Sequence, residues 1–376
     1  MTHQIFTDEE KVYGYRGLSM HLHFNATTLE ALLSLSYSSK VDPETNDGVP
    51  ADDIHAAFAE WMDPTGLTMD RDAFVERVAE TRADAAGFAP PGEEMGGWTR
   101  ESGIYTVHRA NFATPGMREL HTRLRFLPIL FIDAARYIDD TDPRWDVFTV
   151  WGRATPSDPP AVVGYATCYR FLAFPDKVRY RVSQFLILPP FQRQGHGIAL
   201  LDAIHRYARE SDDIVQVTVE DPAPGFVFIR DLLTLRTLHD KNLLDITSLR
   251  GDAPYTCPKD KAKEIGAALA IPPQQVVRAY EITRMVALGL DLATQGADVQ
   301  AVEAAETAFR LALKQRLYKK HLHSPISLAQ LMDDATPEMI EAAQVKEAEQ
   351  RKTLLSSMFN DLLTHYGTVW SHAGIM

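Results

Sequence analysis

The chain has 376 residues, of which 45% are hydrophobic and 24% charged, a composition typical of soluble globular proteins and a length that indicates two or three packed units. Its formal net charge of −13 argues against direct binding to nucleic acid, because phosphates would be repelled. No apolar run is long enough to cross a bilayer, and the first ten residues lack the apolar segment of a secretory signal. We therefore expect neither a nucleic-acid nor a membrane partner.

Cysteine and histidine spacing gives no sign of a metal site. The two cysteines, Cys168 and Cys257, are expected to be reduced structural thiols, which indicates an intracellular protein. Two pairs of histidines have the spacing of strand-borne metal ligands: His21 with His23, and His321 with His323. No cysteine or clustered carboxylate completes either pair, so no metal is predicted.

The N-terminal third has the mixed pattern of an α/β domain. Residues 12–15 and 18–24 are predicted to be strands, the second with alternating polar positions, and residues 52–61 and 70–84 are predicted to be helices. Residues 90–97 are rich in proline and glycine, which predicts a loop.

Strand signals are clearest in the middle of the chain. Helical periodicity over residues 115–136 is followed by three predicted strands, at residues 145–151, 162–174 and 178–188. Short turns separate these strands, which favours an antiparallel meander.

A predicted strand–helix–strand unit follows the meander. Apolar residues recur at helical spacing over residues 197–209, and Val215, Val217 and Val219 alternate with polar residues over residues 214–219. Because such crossovers are right-handed and join parallel strands, the last two strands are expected to pair in parallel.

Beyond residue 243 the strand signals fade. Helical periodicity and composition predict helices over residues 259–269, 273–288, 298–314 and 337–365.

The most informative segment runs from residue 185 to residue 197, where a predicted strand ends in a glycine-bearing loop that begins a helix. The first N–H groups of a helix have no partner within it, and its N-terminus carries partial positive charge, so such a loop binds pyrophosphate well. Gly195 and Gly197 allow the backbone to approach phosphate closely. The pattern Gln-x-x-Gly-x-Gly differs from the dinucleotide-binding motif, and its position after an antiparallel meander makes it specific.

This loop resembles the acetyl-CoA pyrophosphate loop of the GNAT (general N-acetyltransferase) superfamily. Further segments resemble the family of type B histone acetyltransferase catalytic subunits, namely residues 13–18, 39–41, 131–133, 182–199, 220–222 and 277–286. The resemblance covers most of residues 5–290.

The resemblance implies an α/β (α+β) fold with a GNAT-type central mixed sheet of splayed strands. It divides the chain into three domains: a mixed α/β domain over residues 1–115, a GNAT-type acetyl-CoA-binding catalytic domain over residues 116–243, and a helical domain over residues 244–376.

Acetyl-CoA is the implied cosubstrate. Backbone groups of Phe185, Leu186 and Ile187 would pair with the pantetheine arm like an added strand, and these residues equally fit a buried central strand. Seven consecutive residues would hold the pyrophosphate: Gln192, Arg193, Gln194, Gly195, His196, Gly197 and Ile198.

Three carboxylates are candidate catalytic residues. A lysine ammonium must lose a proton before it attacks a thioester, so a base is needed near the acceptor nitrogen. The resemblance implies Glu220 as that base and Asp221 as its assistant, although two acids before a proline are also typical of a solvated turn. Asp133 stands where the family has a glutamate that helps to deprotonate lysine; because aspartate is one methylene shorter, the acceptor would sit closer or a water would bridge.

The resemblance also suggests residues that contact the substrate. Tyr169, Arg170 and Phe171, on the second strand of the meander, would line a groove for a histone tail, although alternation of core and solvent positions explains them equally well. An acidic run near the start matches roughly a place where the family contacts the tail, or is an ordinary solvated run: Asp8, Glu9 and Glu10.

The implied reaction is transfer of an acetyl group to lysine side chains in the N-terminal tail of newly synthesised histone H4. Direct attack in a ternary complex is expected, because no motif for an enzyme nucleophile occurs. The implied partners are this tail and a WD40 propeller histone-binding subunit, and the implied location is cytoplasmic and nuclear. Two alternatives stay open: a GNAT enzyme that acetylates a small amine or a protein α-amine, and a histone-binding module that has lost catalysis but retains acetyl-CoA.

Overall fold

The computed structural model describes residues 5–6, 11–85, 87–133, 135–294, 298–322 and 337–375. The chain forms two compact units, Met1–Glu220 and Asp221–Met376. The three predicted domains, with boundaries at residues 115 and 243, stay a prediction.

Small sheets and two helices begin the first unit. Their bounds are β1 Tyr15–Arg16, β2 Ser19–Phe24, β3 Ala31–Ser36, β4 Ser39–Lys40, α1 Ile54–Ala59, β5 Leu67–Thr68 and α2 Arg71–Ala83. β3 pairs antiparallel with β2 and parallel with β5, and β1 pairs with β4. The helices begin where the Asp53 and Asp70 carboxylates accept the N–H groups of Ala56 at 3.0 Å and Ala73 at 3.1 Å, because such caps satisfy the first donors of a helix. The predicted N-terminal mixed α/β structure is therefore confirmed.

A six-stranded sheet forms the remainder of the first unit. Its strands are β6 Glu93–Arg100, β7 Gly103–Asn111, β8 Trp145–Arg153, β9 Ala161–Ala173, β10 Lys177–Ile187 and β11 Ile214–Val219, in the spatial order β11-β10-β9-β8-β7-β6. All neighbours pair antiparallel except β10 and β11, which are parallel across helix α5 (His196–Glu210), as predicted.

The predicted loop at residues 90–97 is wrong from Glu93 onward, where β6 begins. Gly96 and Gly97 weaken the strand signal, since glycine has poor strand propensity. Gly96 has a φ of 125°, and the pairing with β7 shifts register between Glu94 and Gly96. This is a β-bulge, for which glycine is a common choice.

The sheet opens between β10 and β11. The last parallel pair joins Val182 to Val219, whereas β10 continues to Ile187 with β9 as its neighbour. The two strands therefore part beyond Val182, and this confirms the predicted GNAT-type splayed sheet.

Helices cover both faces of the sheet. On one face α3 (Met117–Leu124) and α4 (Phe126–Phe131) pack on the sheet, with Leu124 in one core with Trp151. On the other face the ring of Tyr207 on α5 packs against the ring of Phe148, with 6.0 Å between the ring centroids.

A buried carboxylate connects the middle of the sheet. Asp146 on β8 is 3% exposed and accepts hydrogen bonds from Arg109 Nη1 at 3.0 Å, Arg170 Nε at 3.0 Å and the Tyr180 hydroxyl at 2.9 Å. These donors lie on β7, β9 and β10, so one side chain joins four adjacent strands. Burial is the largest single effect and lowers the pKa of both arginines, but Asp146, together with the neighbouring Tyr207 and Tyr180, raises the pKa of each above its ordinary value.

The second unit is helical; the helices predicted beyond residue 243 are present, and α6 precedes them without having been predicted. Its helices are α6 Pro224–Asp240, α7 Lys259–Ala268, α8 Pro273–Ala293, α9 Val299–Leu317 and α10 Pro337–Ala373. Buried ion pairs join them: Asp231 on α6 bonds to Arg278 at 3.0 Å and His365 at 2.8 Å, and Glu281 on α8 bonds to Arg316 at 2.7 Å. Among the described helices, none has the length and apolarity that a membrane crossing requires.

We predict that Asp146→Asn lowers the free energy of unfolding by about 3 kcal/mol, because it removes the buried counter-charge of Arg109 and Arg170 and leaves them only the more exposed carboxylates of Glu93 and Asp213. Urea denaturation measures this loss. The matched control is Asp213→Asn, since Asp213 also pairs with Arg170 at 3.0 Å but is 48% exposed, and it should lose less than about 1 kcal/mol. Equal losses in the two variants would contradict the central role of Asp146.

Candidate active site

The loop between β10 and α5 presents a row of free backbone donors. Gly195 is the N-cap of α5 with a φ of 88°, a conformation that favours glycine, and no side chain caps the helix. The first helical bond runs from the Ala199 N–H to the Gly195 carbonyl at 3.2 Å. Among the described residues, none accepts a hydrogen bond from the backbone N–H groups of residues 193–198. The loop is therefore built to bind an anion.

Two amide side chains brace this loop from within. Gln192 donates through Nε2 to the Ile187 carbonyl at 2.8 Å, and Gln194 donates to the Pro190 carbonyl at 2.9 Å. These side chains fix the loop, which leaves the backbone N–H groups as the donors available to a ligand.

The side chain of His196, at the start of α5, is buried among aromatic rings. It is 1% exposed, and its ring lies 4.3 Å from the ring of Tyr105 and 5.8 Å from that of Trp98. Burial, and then the charge of Arg100, lower the pKa of His196, so the imidazole is neutral near pH 7. Its side chain therefore serves packing, and only its backbone is available to a ligand.

The end of β10 lies beside the opening of the sheet. Leu186 is buried in one core with Trp151, whereas Phe185 and Ile187 are half-buried. Residues 185–187 pair with β9 on one side, and β11 has already ended on the other. The predicted central strand is confirmed, and the pairing of these residues with a ligand stays a prediction.

Glu220 follows β11 at the point where the sheet opens. Its carboxylate is 64% exposed and accepts a hydrogen bond from Arg181 Nη1 at 3.2 Å. Asp221 is the next residue and begins the second unit; it is exposed and has a φ of 40°. An exposed carboxylate at this position is accessible to an incoming amine.

An aromatic face, formed by Trp145, Tyr169 and Phe171, leads towards Glu220. The Tyr169 ring lies 4.7 Å from that of Trp145 and 4.6 Å from that of Phe171. The guanidinium of Arg181 lies 4.5 Å from the Phe171 ring centroid and also bonds to Glu220. The structure thus brings Tyr169 and Phe171 together with Glu220. It adds Trp145 and Arg181, which the sequence analysis missed. The antiparallel pairing of β9 and β10 could have indicated Arg181, because it lies opposite Tyr169.

Arg170 lies on the other face of the sheet. Its guanidinium bonds to Asp146 and to Asp213, each at 3.0 Å, and to the Tyr207 hydroxyl of α5. Because alternate strand residues point to opposite faces, its side chain does not join Tyr169 and Phe171 as the sequence analysis expects.

Asp133 is exposed in the turn that follows α4. The segment after it is attached to β10, because Gln184 donates to the Arg136 carbonyl at 2.9 Å and itself accepts from the Tyr165 hydroxyl at 3.2 Å. The turn is therefore held next to the strand that borders the opening. Asp8, Glu9 and Glu10 lie outside the described residues.

Known proteins match this chain over nearly all its length. A family model described as "Histone acetyl transferase HAT1 N-terminus" matches residues 1–133. The rat and human proteins named "Histone acetyltransferase type B catalytic subunit" are each 31% identical over 378 residues, covering 98% of this chain and 85% of the relative. The Cryptococcus neoformans protein of the same name is 29% identical over 387 residues, covering 95% of this chain and 89% of the relative. The chain belongs to this family.

Members of the type B catalytic subunit family are acyltransferases, so the chain is an enzyme of this class. The chain also matches the crystal structure of an aminoglycoside acetyltransferase from an uncultured soil metagenomic sample in complex with sisomicin. The match covers 31% of this chain and 78% of the acetyltransferase chain, with 16% sequence identity and a TM-score of 0.25. That score is too low to bear on the fold.

The backbone donors of the site suit a phosphate-bearing acyl donor. Acetyltransferases of this family imply acetyl-CoA, and the free N–H groups of residues 193–198 fit its diphosphate. Over the described ranges, histidine, cysteine and carboxylate side chains form no group that could hold a metal ion. Cys168 and Cys257 are both buried and unbridged.

We predict that Gly197→Val weakens acetyl-CoA binding about tenfold, or about 1.4 kcal/mol, because a branched side chain would stand among the loop donors. Isothermal titration calorimetry measures the affinity. The control is Gly289→Val in α8, an exposed glycine where an added Cβ meets nothing within 4 Å. Unchanged affinity in a folded Gly197→Val protein would remove the loop from the site.

Proposed function

We propose that this protein transfers the acetyl group of acetyl-CoA to lysine side chains in the N-terminal tail of newly synthesised histone H4. Direct attack in a ternary complex, with Glu220 as general base, is the proposed mechanism. The observation that carries it is the exposed Glu220 carboxylate at the end of β11, where β10 and β11 part. Family membership supports the histone substrate.

The loop and the end of β10 would hold the cosubstrate. The N–H groups of residues 193–198 face the diphosphate in this proposal, and the backbone of residues 185–187 pairs with the pantetheine arm like an added strand. Acetyl-CoA supplies the thioester carbonyl carbon to which the amine nitrogen bonds as the thiol leaves.

The chain must supply a base because free lysine is scarce. Lysine has a pKa of about 10.4, so only about one side chain in 2,500 is a free amine near pH 7. Glu220 accepts the ammonium proton before attack, and Arg181, at 3.2 Å from its carboxylate, orients it. Asp221 and Asp133 are the proposed assisting carboxylates.

The aromatic face would receive the tail. Trp145, Tyr169 and Phe171 offer ring surfaces to aliphatic lysine stems and ring faces to their ammonium groups. The net charge of −13 attracts a basic peptide, an attraction that salt screens over about 10 Å at 0.1 M. The acidic run at Asp8, Glu9 and Glu10 is a proposed additional contact.

The proposed partner is a WD40 propeller histone-binding subunit. The relatives' shared name, "type B catalytic subunit", supports an assembly with a non-catalytic protein. Action on newly synthesised histone places the protein in the cytoplasm and the nucleus in this proposal.

We predict that Glu220→Gln lowers kcat on an H4 tail peptide at least about tenfold, since a positioned base contributes about 10²–10⁴-fold. Glutamine keeps the shape of the side chain, and the loop is untouched, so acetyl-CoA affinity should stay the same. The rate of the variant should rise with pH towards about 10, where free lysine becomes abundant. Steady-state kinetics across pH measure both effects.

The control for this test is Glu210→Gln, which makes the same charge change on an exposed residue at the end of α5 and should leave kcat unchanged. If Glu220→Gln keeps a normal kcat and an unaltered pH profile, proton removal belongs to another carboxylate, with Asp221 or Asp133 the next to test.

A further inference from the structure

An arginine of β6 lies next to the loop of residues 192–198, although it is far from that loop in sequence. Arg100 is the last residue of β6 and is exposed. Its Nη2 lies 3.4 Å from the position that a Cβ would take on Gly195, the N-cap of α5. Its charge also reaches His196, the first residue of that helix, and lowers the pKa of that imidazole after the larger effect of burial.

No carboxylate of the described residues lies within ion-pair distance of Arg100. Within the part of the chain that the structure describes, neither Arg100 nor Arg193 makes an ion pair or a side-chain hydrogen bond. Three other arginines of the same sheet are paired with carboxylates: Arg109 and Arg170 with Asp146, each at 3.0 Å, and Arg181 with Glu220 at 3.2 Å.

The local charge is therefore positive in a protein whose net charge is −13. The Arg100 guanidinium lies beside the positive N-terminal end of α5, the backbone N–H groups of residues 193–198 are unsatisfied, and Arg193 adds a second positive charge to the same loop. An anion that accepts from the backbone and from a guanidinium would offset this positive charge.

We propose that Arg100 binds a phosphate group of acetyl-CoA. This inference rests on the proposed function, and it extends the cosubstrate site to β6, a segment expected from the sequence to be partly loop. A guanidinium offers a planar fork of donors that matches phosphate oxygens, which a lysine ammonium does not. The diphosphate and the ribose phosphate of CoA share this chemistry, and the experiment separates them.

Substitution of Arg100 should not disturb the fold. It lies at a strand end opposite Gly103, its side chain is exposed, and it is bonded to none of the described side chains. Arg100→Gln should therefore fold with an unchanged thermal midpoint, and any loss of affinity reports on the ligand.

The experiment is calorimetric titration of the full chain with acetyl-CoA. Arg100→Gln should raise Kd about tenfold, which corresponds to about 1.4 kcal/mol. Arg100→Lys should raise it less, because it keeps the charge but loses the fork. The matched control is Arg71→Gln, an exposed arginine of α2, which changes the net charge equally and should bind like the unaltered protein.

A second titration uses acetyl-dephospho-CoA, which lacks the ribose phosphate. If Arg100→Gln also loses affinity for this ligand, the arginine contacts the diphosphate; if the loss occurs only with acetyl-CoA, it contacts the ribose phosphate. Normal affinity of Arg100→Gln for both ligands overturns the inference while the proposed function stands. Failure of the unaltered protein to bind acetyl-CoA overturns the proposed function itself.

Discussion

The catalytic sheet depends on one buried carboxylate, that of Asp146. It is the shared acceptor for donors on three neighbouring strands, and it neutralises Arg109 and Arg170, which would be costly to bury unpaired. Strand alternation places Arg170 on the α5 side and Tyr169 and Phe171 on the opposite face, and Asp146 holds the Arg170 guanidinium in place. The strands that carry the aromatic face and the open end of β10 thus keep a fixed register because a single ion network joins them.

The position of the proposed active site follows from the point at which β10 and β11 stop pairing. β11 ends opposite Val182 while β10 continues to Ile187, so the sheet opens with Glu220 at the end of one strand and the anion-binding loop after the other. Glu220 is exposed and bonded to Arg181, which in turn contacts the ring of Phe171. The proposed base, peptide surface and phosphate site therefore lie on three adjacent strands and the turns that leave them.

The sequence predicts most of this arrangement because its signals are local. The alternation of Val215, Val217 and Val219 and the helical spacing after Gly197 predict β11, α5 and their parallel crossover, and the loop motif predicts the donors at the N-terminus of α5. β6 was missed because its glycine bulge resembles a loop, and α6 because residues 226–229 are apolar without helical period. The engagement of Arg170 with Asp146 and the approach of Arg100 to Gly195 join residues distant in sequence, which local patterns do not report.

The central claim is that lysine side chains of the H4 tail are the acceptors at the opening beside Glu220. Mass spectrometry tests it most directly, after incubation of the full chain with acetyl-CoA, free core histones and an equimolar mixture of small polyamines. The account predicts acetyl groups on lysine side chains in the N-terminal tail of H4, formed at least about tenfold more slowly when Glu220→Gln replaces the unaltered protein at the same pH. Acetylation confined to polyamines or to protein α-amines, or an unaltered protein that binds acetyl-CoA and transfers nothing, would contradict it.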